Sequence, residues 1–206
     1  MDTQYFTDSA PAADDELRTL SVRARGRELA MLASSRVFSG RRLDLGTAQL
    51  LDKAPEPPST GTFLDLGCGW GPLAVVLGLE APDADVWAVD VNSRAVDLTA
   101  RNARANGAAN VRALPAEEAL ESARREGVRF DLIWSNPPVR IGKGALHQML
   151  TDWLSLLAPD GAAELVVQRN LGADTLAAWL SAEGFPTRGL ASKKGYRILE
   201  VRTSHE

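Results

Sequence analysis

The pattern of apolar and polar residues changes once along the chain, after a proline-rich stretch at residues 54–59. Ahead of that stretch, apolar and polar residues alternate over residues 20–25, a period of two that predicts a strand. Residues 26–27 can turn the chain into a second strand that ends near residue 33. A helix over the same residues is the competing interpretation. Residues 47–53 then predict a short helix.

Beyond the proline-rich stretch, short apolar runs alternate with segments of helical period. The predicted strands are 62–66, 85–90, 110–114, 130–134 and 162–168; the predicted helices are 72–80, 93–106, 117–125, 144–157 and 172–183. Residues 187–202 predict a final hairpin. Strands that alternate with helices form parallel sheets through right-handed crossovers, whereas a terminal hairpin makes the last strand antiparallel.

The predicted fold class is therefore α/β: a doubly wound, mostly parallel seven-stranded sheet with its last strand antiparallel. Residues 1–58 form a small N-terminal arm in this interpretation, with a hairpin, and residues 59–206 form the main domain.

Composition narrows the class of protein. With 45% hydrophobic residues the chain is too apolar to be disordered, and no apolar run reaches the roughly 20 residues of a membrane span. No basic segment followed by an apolar one opens the chain, so we expect no cleaved signal and a cytoplasmic protein. Cys68 is the single cysteine and the two histidines are far apart, so neither a disulfide nor a metal site is expected.

Charge is distributed unevenly. The net charge of −4 argues against general coating of nucleic acid, but residues 17–53 carry eight basic against three acidic residues. Residues 186–202 carry five basic residues against one acidic residue. These segments are either solvated surface or contacts for phosphates.

A glycine-rich segment lies between the first strand and the first helix of the main domain. It reads Asp65-Leu66-Gly67-Cys68-Gly69-Trp70-Gly71. Ligands of open α/β sheets bind at the carboxyl ends of strands, and glycines let the backbone approach them closely. The spacing is G-x-G-x-G, whereas dinucleotide-binding enzymes have G-x-G-x-x-G. The spacing therefore disfavours an NAD-dependent oxidoreductase.

This segment resembles motif I of the class I S-adenosylmethionine-dependent methyltransferases. The resemblance implies a Rossmann-like methyltransferase fold with S-adenosylmethionine as its cofactor. The cofactor-binding positions that it implies in the loop are Asp65, Gly67, Cys68, Gly69 and Gly71. An acidic residue at Asp65 suits the ammonium of the cofactor's amino-acid end.

Two later strand ends complete the implied cofactor site. Asp90, followed by Val91, ends the second strand, where a carboxylate can accept both ribose hydroxyls. Alternatively, Asp90 is the N-cap of the next helix. Ala116 and Glu117 follow the third strand, at the family's adenine-binding position. Glu117 and the adjacent Glu118 can also be first-turn acids that complement the helix dipole.

The fourth strand ends in Ser135-Asn136-Pro137-Pro138-Val139. The segment resembles the Asn-Pro-Pro-aromatic motif of methyltransferases that modify exocyclic or amide nitrogens. It makes Asn136, Pro137 and Pro138 the candidate catalytic residues, with Asn136 also close to the cofactor. The Asn136 side-chain oxygen and the Pro137 carbonyl would accept the two amine hydrogens and direct the nitrogen lone pair at the methyl group. Val139 stands where the family has an aromatic residue that stacks on the target base, so Phe38 and Tyr196 are candidates for stacking.

A narrower resemblance is carried by several further segments: Val37-Phe38-Ser39, Leu43-Asp44-Leu45-Gly46-Thr47, Arg140-Ile141-Gly142-Lys143 and Gly195-Tyr196-Arg197. With the Asn-Pro-Pro motif they make residues 5–202 similar to the catalytic domain of small-subunit ribosomal RNA guanine-N2 methyltransferases. The resemblance adds Phe38 and Thr47 to the implied cofactor contacts. The RNA contacts that it implies are Val139, Arg140, Lys143, Lys193, Lys194 and Tyr196. Two-domain members of that group carry an additional N-terminal domain, and we expect this chain to resemble the stand-alone catalytic form instead.

The predicted function is S-adenosylmethionine-dependent methylation of the exocyclic N2 amine of a guanine in ribosomal RNA, by a monomer. The guanine would have to be unpaired or flipped out of its helix. Adenine N6 and a protein glutamine amide are alternative acceptors. A non-catalytic module that binds RNA or cofactor is the alternative of a different class.

Overall fold

The computed structural model describes residue 13 and residues 16–34 and 42–204. Its strands are β1 (Leu17–Ala24), β2 (Arg27–Ser34), β3 (Thr62–Leu66), β4 (Asp85–Asp90), β5 (Val111–Pro115), β6 (Phe130–Ser135), β7 (Leu157–Gln168), β8 (Thr187–Lys193) and β9 (Tyr196–Val201). Its α-helices are α1 (Leu45–Lys53), α2 (Pro72–Glu80), α3 (Ser93–Ala105), α4 (Ala116–Glu126), α5 (Lys143–Leu154) and α6 (Ala173–Ala182). A short 3₁₀ helix, Arg169–Leu171, follows β7.

The N-terminal arm contains a β-hairpin. β1 and β2 pair antiparallel, with Ala24 opposite Arg27. Arg25 and Gly26 form the turn, with φ of 48° and 76°, the positive values that a two-residue type I′ turn requires. The predicted hairpin is thus confirmed with its turn one residue earlier than expected, and the competing helix is wrong.

The main sheet has the strand order β5-β4-β3-β6-β7-β9-β8. The strands from β5 to β7 are parallel, and β9 runs antiparallel to both β7 and β8. The predicted fold class is confirmed. Because the chain moves outward from β3 to β5 and then returns to the other side of β3, the order reverses between β3 and β6. Ligands of such sheets bind at the carboxyl ends of the strands beside this reversal.

Helices cover both faces of the sheet. One core contains apolar residues of α1, α2 and α3 together with Val22, Leu29 and Met31 of the arm. The second core lies on the other face, under α4, α5 and α6. No helix among the described residues combines the length and the apolar character that crossing a membrane requires.

The arm is also hydrogen-bonded to α3. The Asn102 side chain accepts from the backbone N–H of Leu32 at 2.6 Å and donates to its carbonyl at 2.8 Å. Asn106 makes the same pair of bonds with Ala30, at 3.1 and 3.0 Å. Two asparagine side chains therefore take the place of a neighbouring strand along β2. Asn102 also donates to the Trp70 carbonyl at 2.8 Å, so it connects the arm with the glycine-rich loop.

Two predicted boundaries, the end of α5 and the start of β7, are wrong by several residues. The helix expected to reach residue 157 ends at Leu154, and β7 begins at Leu157 instead of residue 162. Phe130 pairs with Leu157 and Leu132 pairs with Ala162, so a register shift takes up the residues between the predicted helix and the predicted strand. Gly161 passes so close to β6 that a Cβ there would lie 2.6 Å from the Phe130 carbonyl oxygen.

Candidate functional site

The glycine-rich loop joins β3 to α2 in left-handed backbone conformations. Gly67, Gly69 and Gly71 have φ of 77°, 58° and 86°. A Cβ built on Gly67 or Gly69 would meet no atom of the described residues within 4 Å, whereas one on Gly71 would lie 2.8 Å from Thr99 of α3. The first two glycines thus border open space, and the third allows α3 to pack against the loop.

Asp65 lies under this loop and is fully buried. Its Oδ2 accepts from the Ala74 backbone N–H at 2.9 Å, while its Oδ1 is buried without a hydrogen-bond partner among the residues that the structure describes. Burial, with a smaller contribution from Asp90, raises the pKa of Asp65 to about 8. A buried carboxyl oxygen without a partner is energetically costly, and a cationic ligand would compensate it.

Asp90 holds the loop from the end of β4. Its Oδ2 accepts from the Gly69 N–H and its Oδ1 from the Asn92 N–H, both at 2.9 Å. Burial raises the pKa of Asp90 above its ordinary value. The N-cap of α3 is Asn92, which accepts from Arg94 N–H at 3.0 Å, so the alternative of Asp90 as that cap is wrong.

The neighbours of Asp90 differ in exposure. Val91 is 62% exposed. Asp90 pairs with Pro115 in the sheet, and this register brings Ala116 beside the end of β4. Glu117 is exposed in the first turn of α4, together with Glu118. Its position in the first turn of α4 is compatible both with the predicted adenine contact and with an acid that complements the helix dipole.

Cys68 is buried inside the loop. The Thr99 hydroxyl lies 3.3 Å from its Sγ, and burial raises the pKa of the thiol well above its ordinary value. The thiol is therefore a packing group, and its backbone N–H, which donates to the Val89 carbonyl at 3.0 Å, fixes the loop on β4.

The Asn-Pro-Pro segment meets this loop across the sheet. Ser135 pairs with Leu66 and donates from Oγ to the Leu66 carbonyl at 2.7 Å. Pro137 is buried, and its carbonyl accepts from the Val139 N–H at 2.8 Å. A carbonyl oxygen has two lone pairs, so one remains for a further donor. The Pro138 carbonyl accepts from the Ile141 N–H at 3.1 Å.

The Asn136 side chain has a fixed orientation. Its Nδ2 donates to Asp44 Oδ2 at 2.7 Å and to Thr47 Oγ1 at 3.1 Å. Both hydrogens of the amide nitrogen are thus used within the protein. The amide oxygen is left as the acceptor that this side chain offers to a ligand.

Asp44 is the residue of this site that sequence reasoning missed. It is the N-cap of α1 and accepts from the Thr47 N–H at 3.1 Å. A Cβ on Gly46 would lie 2.9 Å from Asp44 Oδ2, 3.0 Å from Tyr196 Cε1 and 3.3 Å from Asn136 Nδ2. Gly46 therefore marks the point where the arm, the Asn-Pro-Pro segment and the final hairpin meet. The spacing Asp-x-x-Thr signals a helix cap, but nothing in the sequence signals the contact with Asn136.

The predicted RNA contacts lie around this point with different surroundings. Val139 is half-buried against the second core, while Arg140, Lys143 and Lys194 are exposed. Burial raises the pKa of Tyr196; the charge of Asp44 adds to the rise and the charge of Arg140 opposes it.

Two predicted site residues, Lys193 and Phe38, are not shown at the site by the structure. Lys193 is exposed and its Nζ lies 3.0 Å from Asp52 Oδ2 of α1, so the structure gives it a protein partner where a phosphate contact was expected. Phe38 lies outside the described residues. Within those residues, no group of three or more histidine, cysteine or acidic side chains could hold a metal ion.

The sequence of the chain matches a known family and several known proteins. The model of the methyltransferase small domain matches residues 28–200. The chain is 31% identical over 200 residues to the uncharacterized protein YbxB of Bacillus subtilis, covering 97% of this chain and 98% of YbxB. It is 32% identical to ribosomal RNA small subunit methyltransferase C of Pseudomonas aeruginosa, covering 95% of this chain but 54% of that protein.

A solved structure is similar over nearly the whole chain. It is the N2 G1207 methyltransferase of 16S rRNA (RsmC) of T. thermophilus, in complex with AdoMet and guanosine. The TM-score is 0.77 at 26% identity, over 96% of this chain and 53% of that one. The chain thus spans about half the length of the two named ribosomal RNA methyltransferases. By its sequence and its fold, the chain belongs to the methyltransferase small domain family.

Proposed function

We propose that this methyltransferase transfers a methyl group from S-adenosylmethionine to the exocyclic N2 amine of a guanine in ribosomal RNA. The family match confirms the predicted enzyme class, and the AdoMet complex of the similar structure supports the predicted cofactor. The observation that carries the proposal is the Asn136 amide, whose oxygen is the acceptor left after Asp44 and Thr47 have taken its hydrogens.

The cofactor fits the residues around the glycine loop. The unpartnered Oδ1 of Asp65 suits the ammonium, and Gly67 and Gly69 leave room for close approach of the ligand. Each Asp90 oxygen accepts one backbone N–H and keeps lone pairs for a ribose hydroxyl. The exposed Val91 offers an apolar surface to the adenine ring. When bound, S-adenosylmethionine supplies an electrophilic methyl group on a positively charged sulfur.

The protein's contribution to the reaction is orientation and electrostatics. The lone pair of an exocyclic amine is delocalised into the base, so the amine is a weak nucleophile. Asn136 Oδ1 and the free lone pair of the Pro137 carbonyl would accept its two hydrogens and turn the nitrogen lone pair toward the methyl group. Both oxygens carry partial negative charge where positive charge develops on nitrogen, and this lowers the barrier. The methylated nitrogen is acidic and loses its proton without a strong base.

The exposed cations favour RNA as the carrier of the guanine. Arg140 and Lys143 follow the Asn-Pro-Pro segment directly, and Lys194 lies in the turn before Tyr196. Phosphate contacts of this kind make binding fall steeply with salt concentration. The named relatives from P. aeruginosa and T. thermophilus are ribosomal RNA methyltransferases, which supports the same substrate class here.

Nucleoside analysis tests the substrate. Ribosomal and transfer RNA from cells with and without the gene would be digested and compared by mass spectrometry. We expect N2-methylguanosine to be lower in ribosomal RNA when the gene is absent. A loss of N6-methyladenosine instead, or unchanged RNA with a missing methylglutamine in a protein, would assign the same two acceptors to a different amine and overturn the proposal.

Substitution of Asn136 tests the mechanism. Loss of one preorganised acceptor typically lowers the rate about 10²–10³-fold, and we expect this loss in Asn136→Ala with cofactor affinity little changed. Asn136→Asp keeps an acceptor but replaces the NH₂ group that donates to Asp44 Oδ2 at 2.7 Å with a second carboxylate oxygen, so it should lower the rate as well. A full transfer rate in Asn136→Ala would make Asn136 a turn residue and refute its role as acceptor.

A further inference from the structure

We infer that Asp44 is a positioning residue for methyl transfer: its carboxylate sets which end of the Asn136 amide faces the acceptor amine. The inference deepens the proposed function and rests on it, because it gives Asp44 a role only if Asn136 acts as an acceptor. Asp44 lies 92 residues from Asn136 in the chain and belongs to the arm.

The contact removes an ambiguity that is inherent to asparagine. A side-chain amide can rotate by half a turn, which exchanges its oxygen for its NH₂ group with little change of shape. An ionised carboxylate has no hydrogen to donate, so the group 2.7 Å from Asp44 Oδ2 must be the NH₂ of Asn136. In the rotated state, the amide would present donors to the donors of the substrate amine. Asp44 therefore selects the orientation that can accept.

The same contact strengthens the acceptor. A hydrogen bond from an amide N–H to a charged oxygen is short and strong, and it polarises the amide so that its oxygen becomes more negative. Asn136 is partly buried, where such polarisation is screened less than in water. The gain is greatest when the amine nitrogen becomes positive, so the effect of Asp44 should appear in kcat.

Asp44 is itself held firmly. It caps the first turn of α1, and the far end of that helix is bound by the hairpin turn. There, Arg25 donates from Nη1 to the carbonyls of Leu51 and Ala54, at 3.2 and 2.9 Å. Gly46 has no side chain to separate Asp44 from Asn136. The arm and α1 thus form a support for the catalytic amide.

Three variants separate positioning from capping. Asp44→Asn keeps a side-chain oxygen that can reach both Thr47 N–H and Asn136, without the charge. Asp44→Ser keeps a capping oxygen for α1, but its shorter side chain loses Asn136. The third variant, Asn136→Ala, is made alone and together with Asp44→Ser, so that the four proteins form a double-mutant cycle. Rates would be measured with S-adenosylmethionine and small ribosomal subunits from cells that lack the gene, with cofactor Kd and Tm as independent measurements.

We expect kcat to fall in the order wild type, Asp44→Asn, Asp44→Ser. The serine variant should lose about 10- to 100-fold, the equivalent of one charge-assisted hydrogen bond. Its cofactor Kd should stay within about twofold and its Tm close to wild type, because the cap remains. Asp44→Ser should slow the Asn136→Ala enzyme no further, since residues that act through one another are not additive.

Wild-type kcat in Asp44→Ser would overturn the inference, as would an equal loss from Asp44→Ser with and without Asn136. If Asp44→Ser melts far below wild type, the same cycle made with Asp44→Asn decides in its place. Full activity in Asn136→Ala would refute the proposed mechanism, and the inference with it. A slow Asn136→Ala enzyme beside a fast Asp44→Ser enzyme would refute the inference alone.

Discussion

Removing the Asp90 carboxylate should weaken cofactor binding without unfolding the protein. The side chain has two tasks in the structure: each oxygen accepts one backbone N–H at 2.9 Å, from Gly69 and from Asn92, and each has a lone pair directed to neither. Asp90→Ala removes the ribose acceptors and also leaves the Gly69 N–H of the glycine loop without its acceptor, while the bonds of Gly67 and Cys68 to the Val89 carbonyl remain. A hydrogen bond to a charged group contributes about 1.5–3 kcal/mol, so we expect Kd for S-adenosylmethionine to rise about 10- to 150-fold.

The matched variants make this prediction specific. Asp90→Asn should resemble alanine, because one of the two backbone N–H groups would then face the NH₂ of the amide. Asp85 begins the same strand, is half-buried and pairs with Arg112, so Asp85→Ala should leave Kd within about twofold of wild type. Isothermal titration measures Kd, and Tm reports folding. An unchanged Kd in a folded Asp90→Ala protein would refute the assignment of the end of β4 to the ribose.

Three further predictions concern the loop and the buried carboxyls. Gly71→Ala should lower the free energy of unfolding, measured in urea, by about 1–3 kcal/mol more than Gly69→Ala, because a Cβ meets Thr99 only at Gly71. Equal losses in the two variants would contradict the role of Gly71 in packing α3 against the loop. Asp65, with a pKa of about 8, is mainly protonated at pH 7, so binding the cofactor's ammonium at its free oxygen should release a proton, and affinity should rise from pH 6 to 7, below the range in which the ammonium itself titrates. Titration in buffers of different ionisation enthalpy would show the release, which Asp65→Asn should abolish. Glu164 has its pKa raised to about 7 by burial, from an ordinary 4.5. The folded state thus binds more protons than the unfolded state between these values, so its contribution to stability falls as pH rises from about 4.5 to 7. Glu164→Gln, which keeps an acceptor for Trp134 Nε1, should remove this dependence, and an unchanged difference between urea midpoints at pH 5 and 8 would contradict it.

The alternating part of the fold follows from local patterns. The apolar runs at β3 and β4 have few polar residues, as expected of strands buried on both faces, and their predicted bounds match the structure. The glycines of the loop are equally readable, because the left-handed backbone at Gly67, Gly69 and Gly71 needs that residue type. The cofactor loop is therefore largely specified by sequence neighbours.

The features that the sequence did not reveal depend on distant contacts. Pro159, Asp160 and Gly161 have the composition of a turn, and only the pairing of Phe130 with Leu157 draws them into β7. The period of the arm allows helix or strand, and Asn102 on α3, which bonds the backbone of Leu32, stabilises the strand.

The contact of Asp44 with Asn136 is of the same kind. Local spacing marks Asp44 as a helix cap, but its second partner lies 92 residues away. Such a pair becomes visible only when the arm is packed against the end of β6.

We propose that the Asn136 site methylates the N2 amine of guanine in RNA. The most direct test of this proposal is to incubate the purified protein with S-adenosylmethionine carrying a deuterated methyl group and small ribosomal subunits from cells that lack the gene, then identify the labelled nucleoside by mass spectrometry. We expect labelled N2-methylguanosine with the wild-type protein and about 10²–10³-fold slower labelling with Asn136→Ala. Label on adenine N6 or on a protein amide, or equal labelling by both proteins, would contradict it.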